Sequence, residues 1–217
     1  MNANPDIIKR VGGGLILEDL KGESILSASD NFTVPAWVDG RPYCISTSNQ
    51  GSEPSCAGFA TAGFKEIENW RTTHVSKQFD GDKCYDQAKQ CDGSPDTDGT
   101  TLTSAIQGAK DLGWFDESKT VRTIYTKREL QYALHKHGSC IAGFNITKAW
   151  QNTNRVTGMI KSGDANSTGG HAVLVCYYDQ TTIGWQNSWG AGWGVKGFGR
   201  MTWDQFDKQF QYAVVME

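Results

Sequence analysis

Apolar residues recur with helical spacing over the first two thirds of the chain and with strand spacing over the last third. One stripe of apolar and small residues predicts a helix over residues 56–70, and a second predicts a helix over residues 102–112. A third predicted helix opens at a capping box formed by Thr126 and Glu129 and stops at Gly138. The polar segment 80–98, rich in Asp, Gly and Lys, is predicted to be a loop.

From position 139 onward the pattern changes to short apolar or alternating runs that Gly, Asn and Asp separate. The predicted strands span residues 140–146, 171–178, 182–186 and 198–202. Helices that precede strands predict an α+β fold, in which a helical lobe packs against a sheet lobe. A cleft between two such lobes is the natural place for a functional site.

The length of 217 residues suits one domain or two small lobes that share an interface. We expect an irregular N-terminal extension at residues 1–35 and a domain at residues 36–217, with a helical lobe over about 36–135 and a β lobe over about 136–217. Two interpretations of the extension stay open. It is either a surface extension, or a strap or short pro-segment in which residues 15–26 cross the cleft and restrain activity.

The formal charge of -3 and the lack of a Lys/Arg cluster predict neither a nucleic acid nor a membrane as partner. No apolar run reaches the eighteen or so residues that a membrane-spanning helix needs. The N-terminus lacks the pattern of a classical export signal, so we expect a cytoplasmic or non-classically exported protein. A monomer is assumed.

The six cysteines have different surroundings in the sequence. Cys140 and Cys176 lie in apolar runs and are predicted to be buried. If one bridge forms among Cys44, Cys84 and Cys91, the pair Cys84 and Cys91 is favoured, because both fall in one polar segment; free thiols are an equally open alternative. The cysteine and histidine spacings do not fit a zinc site, so neither a metal nor an organic cofactor is expected.

Four residues supply the groups that a thiol-dependent hydrolase needs. Cys56 at a helix start is placed to form a thiolate, because the positive end of a helix favours the anion. His171 would act as the base, and the side-chain oxygen of Asn187 would fix its tautomer. The side-chain amide of Gln50, together with the Cys56 N–H, would bind the oxyanion. These positions are far apart in sequence, so only the fold can bring them together.

These residues lie in runs that resemble the papain-like cysteine peptidases, and more closely the bacterial members. The runs that carry the resemblance are Asn49-Gln50-Gly51, Ser55-Cys56, Gly170-His171-Ala172-Val173, Asn187-Ser188-Trp189-Gly190 and Gly197-Phe198-Gly199-Arg200-Met201. The resemblance covers roughly residues 34–201. It implies a two-lobe fold with a helical left lobe, a β-sheet or barrel right lobe and the active-site cleft between them.

The resemblance also assigns roles around the cleft. It implies that Trp189 shields the histidine–asparagine hydrogen bond from water, and that Asp98 and Gly99 stand where the family binds substrate backbone. Gly170 replaces the Asn or Asp that often precedes the histidine, which removes a side chain from the cleft rim. Glu53-Pro54 replaces a family cysteine and glycine, so one family disulfide cannot form here.

We therefore predict a cysteine-type peptidase, an endopeptidase that forms a thioester acyl-enzyme on protein or peptide substrates. Two alternatives stay open: a catalytically silent papain-like binding module, and an acyl transferase of the transglutaminase type.

Overall fold

The computed structural model describes residues 14–18, 20, 26–28, 31–45, 47–161 and 166–217. Within these residues the helices are α1 (Cys56–Thr73), α2 (Gly81–Cys91), α3 (Leu102–Asp111), α4 (Lys127–His137) and α5 (Trp203–Gln209). The strands are β1 (Val38–Asp39), β2 (Val121–Ile124), β3 (Cys140–Thr147), β4 (Ser167–Tyr178), β5 (Thr182–Gln186), β6 (Phe198–Thr202) and β7 (Phe210–Met216). Short 3-10 helices cover Arg41–Tyr43 and Lys148–Asn152.

The strands form one antiparallel sheet in the order β2-β7-β3-β4-β5-β6, and β1 pairs with β4. Strand β4 is central, since it pairs with β1, β3 and β5. Its register places His171 opposite Phe144 of β3. The mixture of helices with an antiparallel sheet confirms the predicted α+β class.

The three predicted helices and four predicted strands are present with small changes at their ends. Helix α1 continues to Thr73, where His74 caps it in a left-handed conformation. The capping box that opens α4 forms as predicted: Thr126 accepts from the Glu129 N–H, and the Glu129 carboxylate accepts from the Thr126 N–H. Cys140 and Cys176 are wholly buried, as predicted.

The prediction of a continuous loop over residues 80–98 was wrong, because α2 occupies its first half. Asp80 caps this helix and accepts hydrogen bonds from the N–H groups of Asp82 and Lys83. Cys84 and Ala88, four residues apart, form its narrow buried stripe. The stripe is too short to stand out among the surrounding polar residues.

This helix also argues against the favoured disulfide. Cys84 and Cys91 are both free and lie seven positions apart on α2, a separation of roughly 10 Å along a helix axis. A disulfide needs Cα atoms within about 7 Å. A bridge between them would therefore require α2 to unwind.

Glu66 lies on the buried side of α1, although the sequence pattern placed it with the polar residues of that helix. Its side chain is 3% exposed and accepts a hydrogen bond from the Phe79 N–H at 3.1 Å. Burial raises the pKa of Glu66 to about 7, and the Phe79 N–H partly offsets this by stabilising the carboxylate. The carboxylate ties the segment before α2 to α1.

No helix among the described residues has both the length and the apolar character needed to cross a bilayer.

The close packing of α1 on α2 generates a stability prediction. A Cβ added at Gly58 would lie 2.2 Å from the Gly81 carbonyl oxygen and 2.8 Å from the Tyr85 nitrogen, both backbone atoms. We expect Gly58→Ala to lower the free energy of unfolding by about 1–3 kcal/mol, because the helices must separate. Urea unfolding measures the change. Gly192→Ala is the control, since a Cβ there has no neighbour within 4 Å; equal stability of the two variants would contradict this account.

Candidate active site

Cys56 is the first residue of α1, so its sulfur lies at the positive end of an eighteen-residue helix. Ser55 caps the helix through its backbone: its carbonyl accepts from the Phe59 N–H, while its hydroxyl donates to Asp82. The Cys56 side chain is wholly buried.

The sulfur of Cys56 lies against β4, next to the histidine. The Ala172 N–H donates to Cys56 Sγ at 3.5 Å, and Ala172 directly follows His171. Burial raises the pKa of the Cys56 thiol to about 11, and the N–H groups that face the sulfur only partly offset this effect. The thiol is therefore protonated at neutral pH in this conformation.

His171 is held by Asn187 in one tautomer. Its Nε2 lies 2.8 Å from Asn187 Oδ1, which also accepts from the Ser188 N–H at 2.9 Å. Because that oxygen can only accept, Nε2 carries the hydrogen, and Nδ1 is left as the basic nitrogen. Burial lowers the pKa of His171 to about 4, and the bond to Asn187 partly offsets this.

Aromatic rings enclose this hydrogen bond. The Trp189 ring lies 4.7 Å from the imidazole, measured between ring centroids, and Trp150 approaches edge-on at 6.0 Å. Both indoles are almost fully buried. Trp189 therefore packs beside the histidine that contacts Asn187, and so does Trp150, to which no sequence pattern pointed.

Gln50 is oriented by the loop that follows Asn187. The Ser188 hydroxyl donates to Gln50 Oε1 at 2.6 Å, so the amide nitrogen must point the other way, where it donates to the Glu53 carbonyl at 2.7 Å. The Gln50 N–H also donates to the Ser188 carbonyl. These bonds hold the carboxamide in one orientation, with its N–H group directed at the Glu53 carbonyl.

Residues 14–18 of the N-terminal extension, here called the leader, lie across the space between the cysteine and the histidine. A Cβ at Gly14 would be 2.4 Å from the Pro54 carbonyl oxygen, two residues before the cysteine. On the other side, the Leu15 N–H donates to the carbonyl of Gly170, the residue before the histidine, at 3.3 Å. A Cβ at Gly170 would be 2.4 Å from the Leu15 oxygen, so the missing side chain makes room for the leader.

Thr100 holds the leader from the helical side of the cleft. The Thr100 N–H donates to the Gly14 carbonyl at 3.1 Å, and its carbonyl accepts from the Ile16 N–H at 3.0 Å. Gly99, at φ 83°, packs against Gly14, whereas Asp98 is exposed. The backbone hydrogen bonds to the leader at this point are made by Thr100, the residue that follows Gly99.

Two side chains anchor the leader. Leu15 is 4% exposed, and a Cβ at Gly143 of β3 would lie 2.8 Å from its Cδ2. The Glu18 carboxylate accepts hydrogen bonds from the Thr103 hydroxyl and N–H and, at 3.2 Å, from the Tyr212 hydroxyl. The leader is therefore held by backbone bonds, one buried aliphatic side chain and one carboxylate.

Among the described residues no three His, Cys, Asp or Glu side chains lie close enough together to hold a metal ion.

Known proteins share this fold. No protein-family profile matches the chain. It is 30% identical over 123 residues to cathepsin B-like cysteine proteinase 3 of Ostertagia ostertagi, an alignment that covers 55% of this chain and 67% of the relative. Xylellain, a cysteine protease from Xylella fastidiosa, superposes with a TM-score of 0.78 at 19% identity, covering 96% of both chains.

Procathepsin B S9 from Trypanosoma congolense superposes with a TM-score of 0.74 at 13% identity, covering 100% of this chain and 90% of the other. The chain belongs to the family of papain-like cysteine proteases.

Proposed function

We propose that this protein is a cysteine-type endopeptidase, with Cys56 as nucleophile, His171 as acid and base, Asn187 as the group that orients the imidazole and Gln50 as an oxyanion donor. One observation carries the proposal. The 2.8 Å contact between His171 Nε2 and Asn187 Oδ1 leaves Nδ1 basic, and the following residue, Ala172, contacts the Cys56 sulfur. These two contacts support the proposal, because they link the proposed base to its orienting group and bring the neighbouring residue of β4 against the proposed nucleophile.

The proposed reaction begins with transfer of the Cys56 proton to His171 Nδ1. The thiolate attacks the carbonyl carbon of the scissile peptide bond, and the resulting oxyanion is stabilised by the Cys56 N–H and the Gln50 carboxamide. The imidazolium then donates its proton to the leaving amine as the carbon–nitrogen bond breaks. Water, deprotonated by the same imidazole, hydrolyses the thioester and regenerates the thiol.

The proposal includes a regulatory role for the leader: it excludes substrate and water from the site until it is displaced. The leader contacts the residues beside both Cys56 and His171, and both side chains are buried. Burial favours the uncharged form of each group, which is why the pKa of Cys56 is raised and that of His171 lowered. Displacing the leader would admit water and favour the thiolate–imidazolium pair.

An acyl transferase would use the same two groups, and a silent binding module would use neither. Product analysis with and without an added amine separates hydrolysis from transfer. Absence of any turnover in a variant that cannot retain its leader would favour the binding module.

The oxyanion role of Gln50 gives a first prediction. We expect Gln50→Ala and the similarly shaped Gln50→Glu to lower kcat for a peptide substrate by about 10²–10³-fold, with a smaller change in KM, because the donor acts in the transition state. Gln107→Ala is the matched control, since that amide is exposed and donates to the Asp111 side chain. A Gln50→Glu variant with unchanged kcat and thermal stability would overturn the role.

The two pKa shifts give a second prediction, on pH. Burial raises the pKa of Cys56 and lowers that of His171, so the two groups together hold one proton. Moving that proton from the sulfur to the imidazole exchanges no proton with solvent. We expect the rate of Cys56 alkylation by iodoacetamide to change little from pH 8 to pH 5. An ordinary thiol slows about tenfold per pH unit over this range, because its proton must be lost to water.

Mass spectrometry of each cysteine peptide measures both rates in one sample, with the exposed Cys91 as internal control. In His171→Ala the alkylation of Cys56 should slow with falling pH as an ordinary thiol does. Parallel pH slopes for Cys56 and Cys91 in the unsubstituted protein would argue against proton transfer to the histidine.

The leader gives a third prediction. Leu15→Asp should raise kcat/KM for a peptide substrate by roughly 10–100-fold. The substitution removes the burial of a leucine side chain, which stabilises the leader by about 1.5–3 kcal/mol, and a charged side chain at this position opposes burial. Val156→Asp, at a position 86% exposed, is the control for added charge. Circular dichroism checks that both proteins are folded. If Leu15→Asp and the unsubstituted protein then turn over the substrate at the same rate, the leader does not restrain activity.

A further inference from the structure

Two cysteines outside the candidate active site lie in contact. Cys44 Sγ is 3.9 Å from Cys176 Sγ, although 132 positions separate them in the chain. Cys44 directly follows the short helix Arg41–Tyr43 and is partly exposed, whereas Cys176 is wholly buried in β4. One thiol of the pair is therefore accessible from solvent, and the other is buried beneath the surface.

The backbone holds these two residues together. Strand β1 pairs with the end of β4, where Asp39 is opposite Tyr177. The Gly40 N–H then donates to the Cys176 carbonyl at 2.7 Å, and the Cys44 N–H closes the turn by donating to the Arg41 carbonyl at 3.1 Å. Because main-chain bonds fix both sides, the approach of the two sulfur atoms does not depend on a side-chain rotamer alone.

The packing at this point is close. A Cβ added at Gly40 would lie 2.8 Å from the Cys176 carbonyl oxygen and 3.5 Å from the Cys176 Cβ. The backbone of the β1 segment therefore lies directly on the residue that carries the second thiol. A bond between the sulfur atoms needs them to move together by about 2 Å, to the length of a disulfide of about 2.05 Å.

Other cysteines of the chain have different partners. Cys84 Sγ contacts the Ala105 carbonyl, and Cys91 Sγ contacts the Ala88 carbonyl. Cys56 contacts the Ala172 N–H. Among the described residues, the contact between Cys44 and Cys176 is the one that brings two thiols together.

We propose that Cys44 and Cys176 form a reversible disulfide by exchange with a small organic disulfide. The Cys44 thiolate attacks one sulfur of the small disulfide and releases one thiol, which leaves Cys44 in a mixed disulfide. The Cys176 thiolate then attacks the Cys44 sulfur, forms the internal bond and releases the second thiol. Two protein thiols are oxidised, one small disulfide is reduced to two thiols, and each released thiolate takes up the proton lost by a cysteine.

The bond would connect the segment before Gln50 to the strand that carries His171. It would close a loop of 132 positions and so restrict the unfolded chain strongly. The oxidised protein should therefore resist unfolding more than the reduced protein. This inference rests on the fold and does not require the proposed peptidase activity.

The experiment uses the full chain, reduced and then incubated with hydroxyethyl disulfide. Free thiols are alkylated under denaturing conditions, and peptides are mapped without reduction. We expect a cross-linked peptide pair containing Cys44 and Cys176, the loss of these two thiols, and a rise in Tm of about 5 °C or more that dithiothreitol reverses.

Cys44→Ser should give neither the cross-link nor the rise in Tm, and Cys44→Val repeats this test with an apolar side chain. Cys84→Ser is the matched control and should behave as the unsubstituted protein does. A mixed disulfide that stays on Cys44, a cross-link between other cysteines, or a cross-link without a change in Tm would each overturn the proposal.

Discussion

The approach of α1 to β4 is the constraint on which the rest of the structure depends. A Cβ at Gly63 would come within 2.8 Å of Leu174 Cδ2, so the helix packs directly against the side chains of the strand. Cys56 begins that helix and His171 lies in that strand. Because both elements are hydrogen-bonded along their length, their packing fixes where the sulfur and the imidazole lie.

A second set of contacts completes the site from the other side. Residues 48–50 are hydrogen-bonded to residues 188–190, and the Ser188 hydroxyl orients the Gln50 carboxamide. The same loop begins with Asn187, which holds the histidine. Gln50 and Asn187, the proposed oxyanion donor and orienting group, are therefore positioned by one loop pairing, and a displacement of that loop would disturb both.

Desolvation opposes the charged state that the proposed chemistry needs. The helix end and the N–H groups around the sulfur favour a thiolate, yet complete burial raises the pKa of Cys56 and lowers that of His171. Burial is the larger effect while the leader covers the site. The proposed regulation by the leader would act through the solvation of these two groups, and it needs no change in the groups themselves.

Local patterns were sufficient for the parts of the fold that depend on near neighbours. The helix that begins at Cys56, the capping box of Thr126 and Glu129, and the central strands are all readable, since periodicity and caps are local properties. The order of the motifs also pointed to the four candidate catalytic residues. Helix α2 was not predicted, because its buried stripe consists of little more than Cys84 and Ala88.

Tertiary packing alone decided the rest. Glu66 can be buried because its carboxylate accepts a hydrogen bond from the Phe79 N–H, which lies outside helix α1. The contact of Cys44 with Cys176, and the position of Leu15 between Gly143 and Gly170, join segments more than a hundred residues apart. Sequence by itself determined which chemical groups this protein possesses and which local elements carry them. Their protonation and accessibility depend on long-range burial, which has no local signature.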